Sequence, residues 1–346
     1  METSVAFLQE FVRTLFICTK VVVAAMLFIS ALSLSLALAA SATDGYGAYD
    51  PVFTPFNVDG SLRLDVIPAY AKYTTQKGTA AIILGGSTGE WPSMTSDERI
   101  AVLKAWRAAL DSLDPAISPH HRIPQLIFHA GDTALERAIG LATAARDIKA
   151  DGILIVAPCI MKPTTLDMLV KVIGMVASAA GPTMPAWYYH YPALYGVDFP
   201  MHQFLDRVDK TGAIENLVGV KYIDGNLTEF ALATKVGGGK YKLVSTHLLE
   251  GLAAGSSGAI GYTPQGPFAD AMFAAHEAGN ATATRVAAER YALLGRILSS
   301  DKSQVRASSR IFVPHLDLGP PRLPLTDVDE ATVDQMRRSL KEHAFL

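Results

Sequence analysis

Beyond Gly45 the chain alternates repeatedly between short β-branched or apolar runs and longer stretches with helical spacing, and this βα order constrains the fold more than any other feature. The strand-like runs are YDPVFTP (49–55), TAAIILG (79–85), PQLIFHA (124–130), GILIVAP (152–158), MPAWYYH (184–190), LVGVKYI (217–223), YKLVST (241–246) and GAIGY (258–262). Amphipathic stretches such as 97–110, 133–149 and 165–178 lie between them, each opened by Ser, Thr or Asp near its start. Eight such runs within about 215 residues fit an α/β fold of the (β/α)8 TIM-barrel type better than the alternative, a doubly wound sheet. Further helical patterns at 268–278, 281–299 and 329–343 read as a C-terminal helical extension.

Half of the 346 residues are hydrophobic and only 18% are charged, which excludes disorder and leaves an apolar excess to be placed. It sits at the N-terminus. The run VVVAAMLFISALSLSLALAASAT (21–43) carries no charge and matches the roughly 20 residues needed to cross a bilayer. Arg13 and Lys20 precede it and Ala40-Ser41-Ala42 follows, so the segment reads as a membrane anchor or as a signal peptide with a cleavage site. The expected organisation is a targeting segment at 1–43, a barrel at 44–264 and a helical extension at 265–346. The expected location is the membrane or secretory pathway, or the cytoplasm if the first segment reflects a wrong start.

Net charge is −3 with Lys and Arg scattered, so no basic surface is set up for nucleic acid. Two cysteines, Cys18 and Cys159, make neither a disulfide framework nor a zinc cluster. The nine histidines show no HExxH and no close pair beyond His120-His121, so no metal or other cofactor is expected.

In a barrel the chemistry belongs at the C-terminal ends of the strands. Lys221 stands inside an apolar strand, where an ammonium is costly to desolvate and responds by lowering its pKa. A neutral amine there could condense with a 2-oxo acid to an imine, an electron sink for breaking or making a C–C bond; on the strand pattern alone, a lysine that snorkels to solvent is the better fit. Gly85-Gly86-Ser87-Thr88-Gly89 is either an ordinary βα turn or a cradle whose N–H and hydroxyl groups hold a small carboxylate; it lacks the endings of nucleotide-binding loops. Tyr189 offers a phenol for proton transfer, and of the tyrosines around it only Tyr191 shares its face.

In their order and spacing, TPF, GGSTGE, APxxxKP, YYHYPALYG, GVKY and GAIG resemble the dihydrodipicolinate synthase and N-acetylneuraminate lyase family of class I aldolases, over nearly all of the chain from about Tyr49 onward. The animal-type lyase branch is the nearest likeness, through YYHYPALYG, APCIMKPTTLDML and GPPRLPL. The resemblance implies a barrel that assembles as a homotetramer, with Lys221 forming the Schiff base, Tyr189 moving the proton, Ser87 and Thr88 holding the pyruvate carboxylate, and Ile260 lining the pyruvate pocket.

The same resemblance marks departures on the aldehyde side. Leu194 replaces the arginine of the synthases, which argues against a second acid group, and agrees with the lyases. Ser245 and Thr246 stand where the lyases carry two carboxylates, and Ile223 and Tyr262 replace hydroxyl residues. The expected activity is therefore a carbon–carbon lyase that splits a 2-oxo acid into pyruvate and an aldehyde, of which cleavage of N-acetylneuraminate to N-acetylmannosamine is the leading form. A related aldolase with a different aldehyde, a non-catalytic 2-oxo acid binding protein and a membrane-held scaffold are the alternatives.

Overall fold

Runs rich in Val, Ile and Leu, each followed by a helix long enough for a crossover, leave little choice but parallel pairing, and the computed structural model closes that pattern into a barrel. It describes residues 47–261, 266–298 and 302–346. Eight strands, β1 (Ala48–Pro51), β2 (Ala81–Leu84), β3 (Gln125–His129), β4 (Gly152–Val156), β5 (Ala186–His190), β6 (Leu217–Tyr222), β7 (Lys242–Ser245) and β8 (Gly258–Ile260), pair in sequence order, and β1 also pairs with β8. Every pairing is parallel, with Tyr49 opposite Ala81 on one side and Ile260 on the other. Closure excludes the doubly wound alternative.

The helices of the barrel are α1 (Ile67–Gln76), α2 (Ser96–Asp111), α3 (Leu135–Asp147), α4 (Leu166–Ala179), α5 (Met201–Thr211), α6 (Leu227–Ala233), α7 (Leu248–Ala253) and α8 (Gly266–Glu277). Side chains alternate along the strands as period 2 requires. Ile82, Leu84, Leu126, Phe128, Tyr188 and Val220 point outward into the layer shared with the helices, while Ile83, Ile127, Val156, Trp187, Tyr189 and Val244 fill the inside. Trp187 plugs the interior below Tyr189 and packs edge-on to Tyr49 with centroids 5.6 Å apart. Gly219 makes room for it, since a Cβ there would lie 2.7 Å from the indole and 2.0 Å from the Lys242 carbonyl oxygen.

α8 packs Ala269, Met272 and Phe273 onto Ala48 and Ala259, so the helix at the start of the expected extension is the eighth barrel helix. Beyond it come α9 (Ala281–Leu298), α10 (Lys302–Ala307), α11 (Ser309–Phe312) and α12 (Glu330–Glu342). α12 seats Val333, Met336 and Leu340 against Leu294, Leu298 and Ile311. The chain between α11 and α12 folds back onto the β1 end of the barrel, where Phe56 N–H donates to the Leu318 carbonyl and Arg63 pairs with Asp317 at 2.6 Å.

Among the described residues no helix is long and apolar enough to cross a membrane. The expected targeting segment, 1–43, lies outside the described residues, as does Tyr262.

Candidate active site

The site is built where β5 and β6 run side by side. Their register sets Tyr189 directly opposite Lys221, and both residues take the inward position of the pleat. Lys221 is 5% exposed, and its Nζ stands 4.1 Å from the centroid of the Tyr189 ring. The Tyr189 hydroxyl lies 3.2 Å from Ser87 Oγ, which brings the loop after β2 against the end of β5. Burial pushes the Tyr189 phenol well above the ordinary tyrosine range, with the Ser87 contact opposing. The phenol therefore keeps its proton at neutral pH and can donate it to a substrate oxygen.

The loop itself is tight. Gly85 has φ +69°, and a Cβ on Gly89 would sit 3.0 Å from the Gly85 Cα, so a side chain at Gly89 would wedge the turn open. Among the described residues, no backbone carbonyl takes up the N–H groups of Ser87, Thr88 or Gly89. Together with two hydroxyls they form the kind of donor cluster that holds a carboxylate.

A cavity of about 280 Å³ opens at this point. Ser87, Thr88, Tyr189, Lys221 and Ile260 all line it, so the five residues assigned to the pyruvate side come together. Of the residues considered for the aldehyde side, Ile223 and Thr246 line the cavity. Leu194 and Ser245 do not. Leu194 sits on a single helical turn, Pro192–Tyr195, and is 44% exposed. Ser245 is buried within β7, where its Oγ accepts from the His247 N–H at 3.0 Å. Thr246, one residue further, is where the chain turns toward the cavity.

The cavity also has walls that strand and loop motifs did not disclose. Phe53 and Pro51 come from the end of β1, Tyr191 from beyond β5, and Val305, Arg306 and Leu325 from the C-terminal extension. Glu90, the last residue of GGSTGE, lines it as well. Arg306 has no motif around it, and only a pairing argument for the buried Glu90 could have pointed to a distant cation.

Beneath the cavity the aromatic packing is continuous. Tyr195 packs edge-on to Tyr189 with centroids 5.6 Å apart and accepts from Trp91 Nε1 at 3.3 Å; burial pushes its phenol up to about 12. His129, at the end of β3, is held neutral by burial and by the charges of Arg99 and Lys221. A ring nitrogen of His190 and carboxylate oxygens of Asp198 and Asp224 lie within 4.8 Å of one another. That set could hold a cation, but the alternation of β5 turns His190 to the face opposite Tyr189.

A sequence profile of the dihydrodipicolinate synthetase family matches residues 46–343. The chain belongs to that family. The N-acetylneuraminate lyase of Pongo abelii is 32% identical over 312 residues, covering 87% of this chain and 93% of that protein. Among solved structures, the N-acetylneuraminate lyase of Proteus mirabilis superimposes with a TM-score of 0.76 at 25% identity, over 87% of this chain and 99% of the other. A dihydrodipicolinate synthase of Cyanidioschyzon merolae, solved with lysine bound, gives a TM-score of 0.78 at 23% identity over 88% and 99% of the two chains, a likeness of fold alone. The family match spans β1 through α12, so the extension that supplies Val305, Arg306 and Leu325 lies within the family's own span.

Proposed function

We propose that the protein is a Schiff-base-forming aldolase, a carbon–carbon lyase that splits a 2-oxo acid into pyruvate and an aldehyde, with N-acetylneuraminate as the leading substrate. The observation that carries this reading is the meeting of Lys221 Nζ, the Tyr189 phenol and Ser87 Oγ at the mouth of the barrel. Lys221 Nζ attacks the 2-oxo carbon and water leaves, giving a protonated imine. A base removes the proton from the C4 hydroxyl as the C3–C4 bond breaks, releasing the aldehyde and leaving an enamine. Protonation at C3 and hydrolysis then return pyruvate and free lysine. Tyr189, hydrogen-bonded to Ser87, is the group placed to pass these protons, while Ser87 and Thr88 hold the carboxylate. No cofactor takes part.

The apolar share of the cavity lining favours a second reading, in which the aldehyde carries fewer hydroxyls. Phe53, Ile223, Val305 and Leu325 line the cavity, and beyond the pyruvate-side residues Tyr191 and Thr246 are the hydroxyl groups in its lining. A sugar hydroxyl buried there without a partner costs about 1–3 kcal/mol.

Borohydride reduction with pyruvate, followed by peptide mass spectrometry, tests the common core of both readings. The expected product is a pyruvyl adduct on Lys221, and a folded protein that gains none is not an aldolase. Release of pyruvate from N-acetylneuraminate, compared with simpler 4-hydroxy-2-oxo acids, then separates the two.

The reading extends to the whole chain: a targeting segment at 1–43 ahead of a catalytic barrel that runs through α8 (Gly266–Glu277) and a helical extension beyond it, assembled as a homotetramer. In this reading the segment places the enzyme at the membrane as an anchor, or in the secretory pathway as a cleaved signal peptide. Carbonate washing of membranes from cells making C-terminally tagged protein distinguishes these. A retained anchor stays in the pellet at full length, a cleaved signal releases a shorter chain, and full-length protein in the cytosolic fraction overturns both.

A further inference from the structure

Glu90 is held in an unusual state. It has φ +57°, in the left-handed region that a glutamate seldom occupies, and its side chain is buried. A conformation of this kind costs on the order of 1–3 kcal/mol and persists only where the surroundings enforce it. Both carboxylate oxygens of Glu90 are held by the C-terminal extension. Arg306 Nη1 donates to Oε1 at 2.8 Å, and the Arg322 backbone N–H donates to Oε2 at 3.0 Å.

Arg306 is the node of this arrangement. Its side chain is 4% exposed and lies against the rings of Phe53 and Phe56. Nη1 reaches the Thr54 carbonyl as well as Glu90, Nη2 the carbonyls of Leu318 and Gly319, and Nε that of Gly319. Thr54 in turn donates its hydroxyl to the Gly89 carbonyl at 2.7 Å. The five N–H donors of the guanidinium are thus all engaged by the protein, although the residue lines the cavity. It has nothing left to offer a substrate directly, and its effect must pass through Glu90 and Gly89 into the Ser87–Thr88 turn between them and Gly85.

We propose that Arg306 is a positioning residue through which the C-terminal extension fixes the geometry of the Gly85–Glu90 loop, and with it the affinity for the carboxylate of the 2-oxo acid. The clause on affinity rests on the aldolase reading above; the clause on loop geometry does not. Burial raises the Glu90 carboxyl against the pull of Arg306, so loss of the guanidinium strips Oε1 of its ion-pair donor, leaves only the Arg322 N–H on Oε2, and takes away the strut of the loop.

The test uses the full-length chain with Arg306→Gln, Glu90→Gln and, as a control, Arg63→Gln, which breaks a surface pair between the barrel and the same extension. Two quantities are read: amide hydrogen exchange in the peptide spanning residues 85–91, and the pyruvate concentration giving half-maximal borohydride-trapped adduct. Arg306→Gln is expected to speed exchange in that peptide and to raise the half-saturating pyruvate about tenfold or more at an unchanged plateau of adduct. Arg63→Gln is expected to leave both as in wild type. Should Arg306→Gln fail to fold, Glu90→Gln carries the test, since it keeps the shape of the side chain and removes the charge. Exchange at residues 85–91 and half-saturation both within about twofold of wild type overturn the proposal, since displacing a binding group usually costs far more. So do equal changes in the Arg63→Gln control. If the wild-type chain traps no pyruvate, the aldolase reading falls, and the exchange result still decides whether Arg306 fixes the loop.

Discussion

Replacing Tyr189 by Phe removes one hydroxyl and leaves the ring that Lys221 Nζ lies against. If the phenol moves protons but does not form the covalent bond, Tyr189→Phe slows turnover by about 10²–10⁴-fold and still yields the pyruvyl adduct at Lys221. Loss of the adduct as well would make the hydroxyl part of imine formation; unchanged turnover would remove Tyr189 from the mechanism. At this scale the sequence was legible where chemistry and pleat coincide. Lys221 and Tyr189 are conspicuous because a lysine and a phenol are set in apolar strands, and Ser87 and Thr88 because glycines bracket them. Leu194 and Ser245, marked by the family resemblance, are not among the residues that line the cavity. The turn after Tyr191 carries Leu194 outward, and the pleat of β7 directs Ser245 away from the cavity that Thr246 reaches. Arg306 stayed hidden because its partner Glu90 is 216 residues away in sequence.

Helix α2 shows how an element is tied to a distant part of the chain. Thr95 caps it, accepting from the Glu98 N–H while the Glu98 carboxylate accepts from the Thr95 N–H. The other side of that carboxylate faces Arg322, whose Nη1 lies 2.9 Å from Oε2 and whose Nη2 lies 2.5 Å from Oε1. The Arg322 hydrogen bond holds the Glu98 carboxyl below its ordinary value of 4.5, with burial opposing. A depressed carboxylate contributes stability above its unfolded value and loses that contribution as pH falls through the folded one. Wild type is therefore expected to melt above Glu98→Gln at neutral pH, and the gap is expected to close as pH drops below 4.5. Thermal melts of both proteins across that range check it, and a gap independent of pH would assign the effect to packing. The capping signal was readable from Ser, Thr or Asp at the head of a periodic stretch. Arg322 lies in the GPPRLPL stretch, and nothing local to either residue announces the pair.

At the scale of the molecule, the order of strands was readable because each run repeats the same local pattern, whereas closure is a property of no single run. It depends on β1, which bonds to β2 on one side and β8 on the other. β1 and the residues that follow also bury Ala48, Val52 and Phe53, and Thr79 Oγ1 donates to the buried Asp50 carboxylate at 2.5 Å. Removing β1 would leave two unpaired strand edges and strip Phe53 from the cavity wall. Two truncations separate the contributions. A chain of residues 41–346 keeps every described strand, and is expected to melt cooperatively, to run as a tetramer by light scattering and to gain the pyruvyl adduct. A chain of residues 54–346 lacks β1, Val52 and Phe53, and is expected to lose cooperative melting and the adduct together. If the shorter chain traps pyruvate as well as the longer one, the site does not depend on barrel closure, and Lys221 and Tyr189 are held by the β5–β6 pair alone. If 41–346 fails to fold, residues 1–40 are part of the folding unit and not a separable targeting segment.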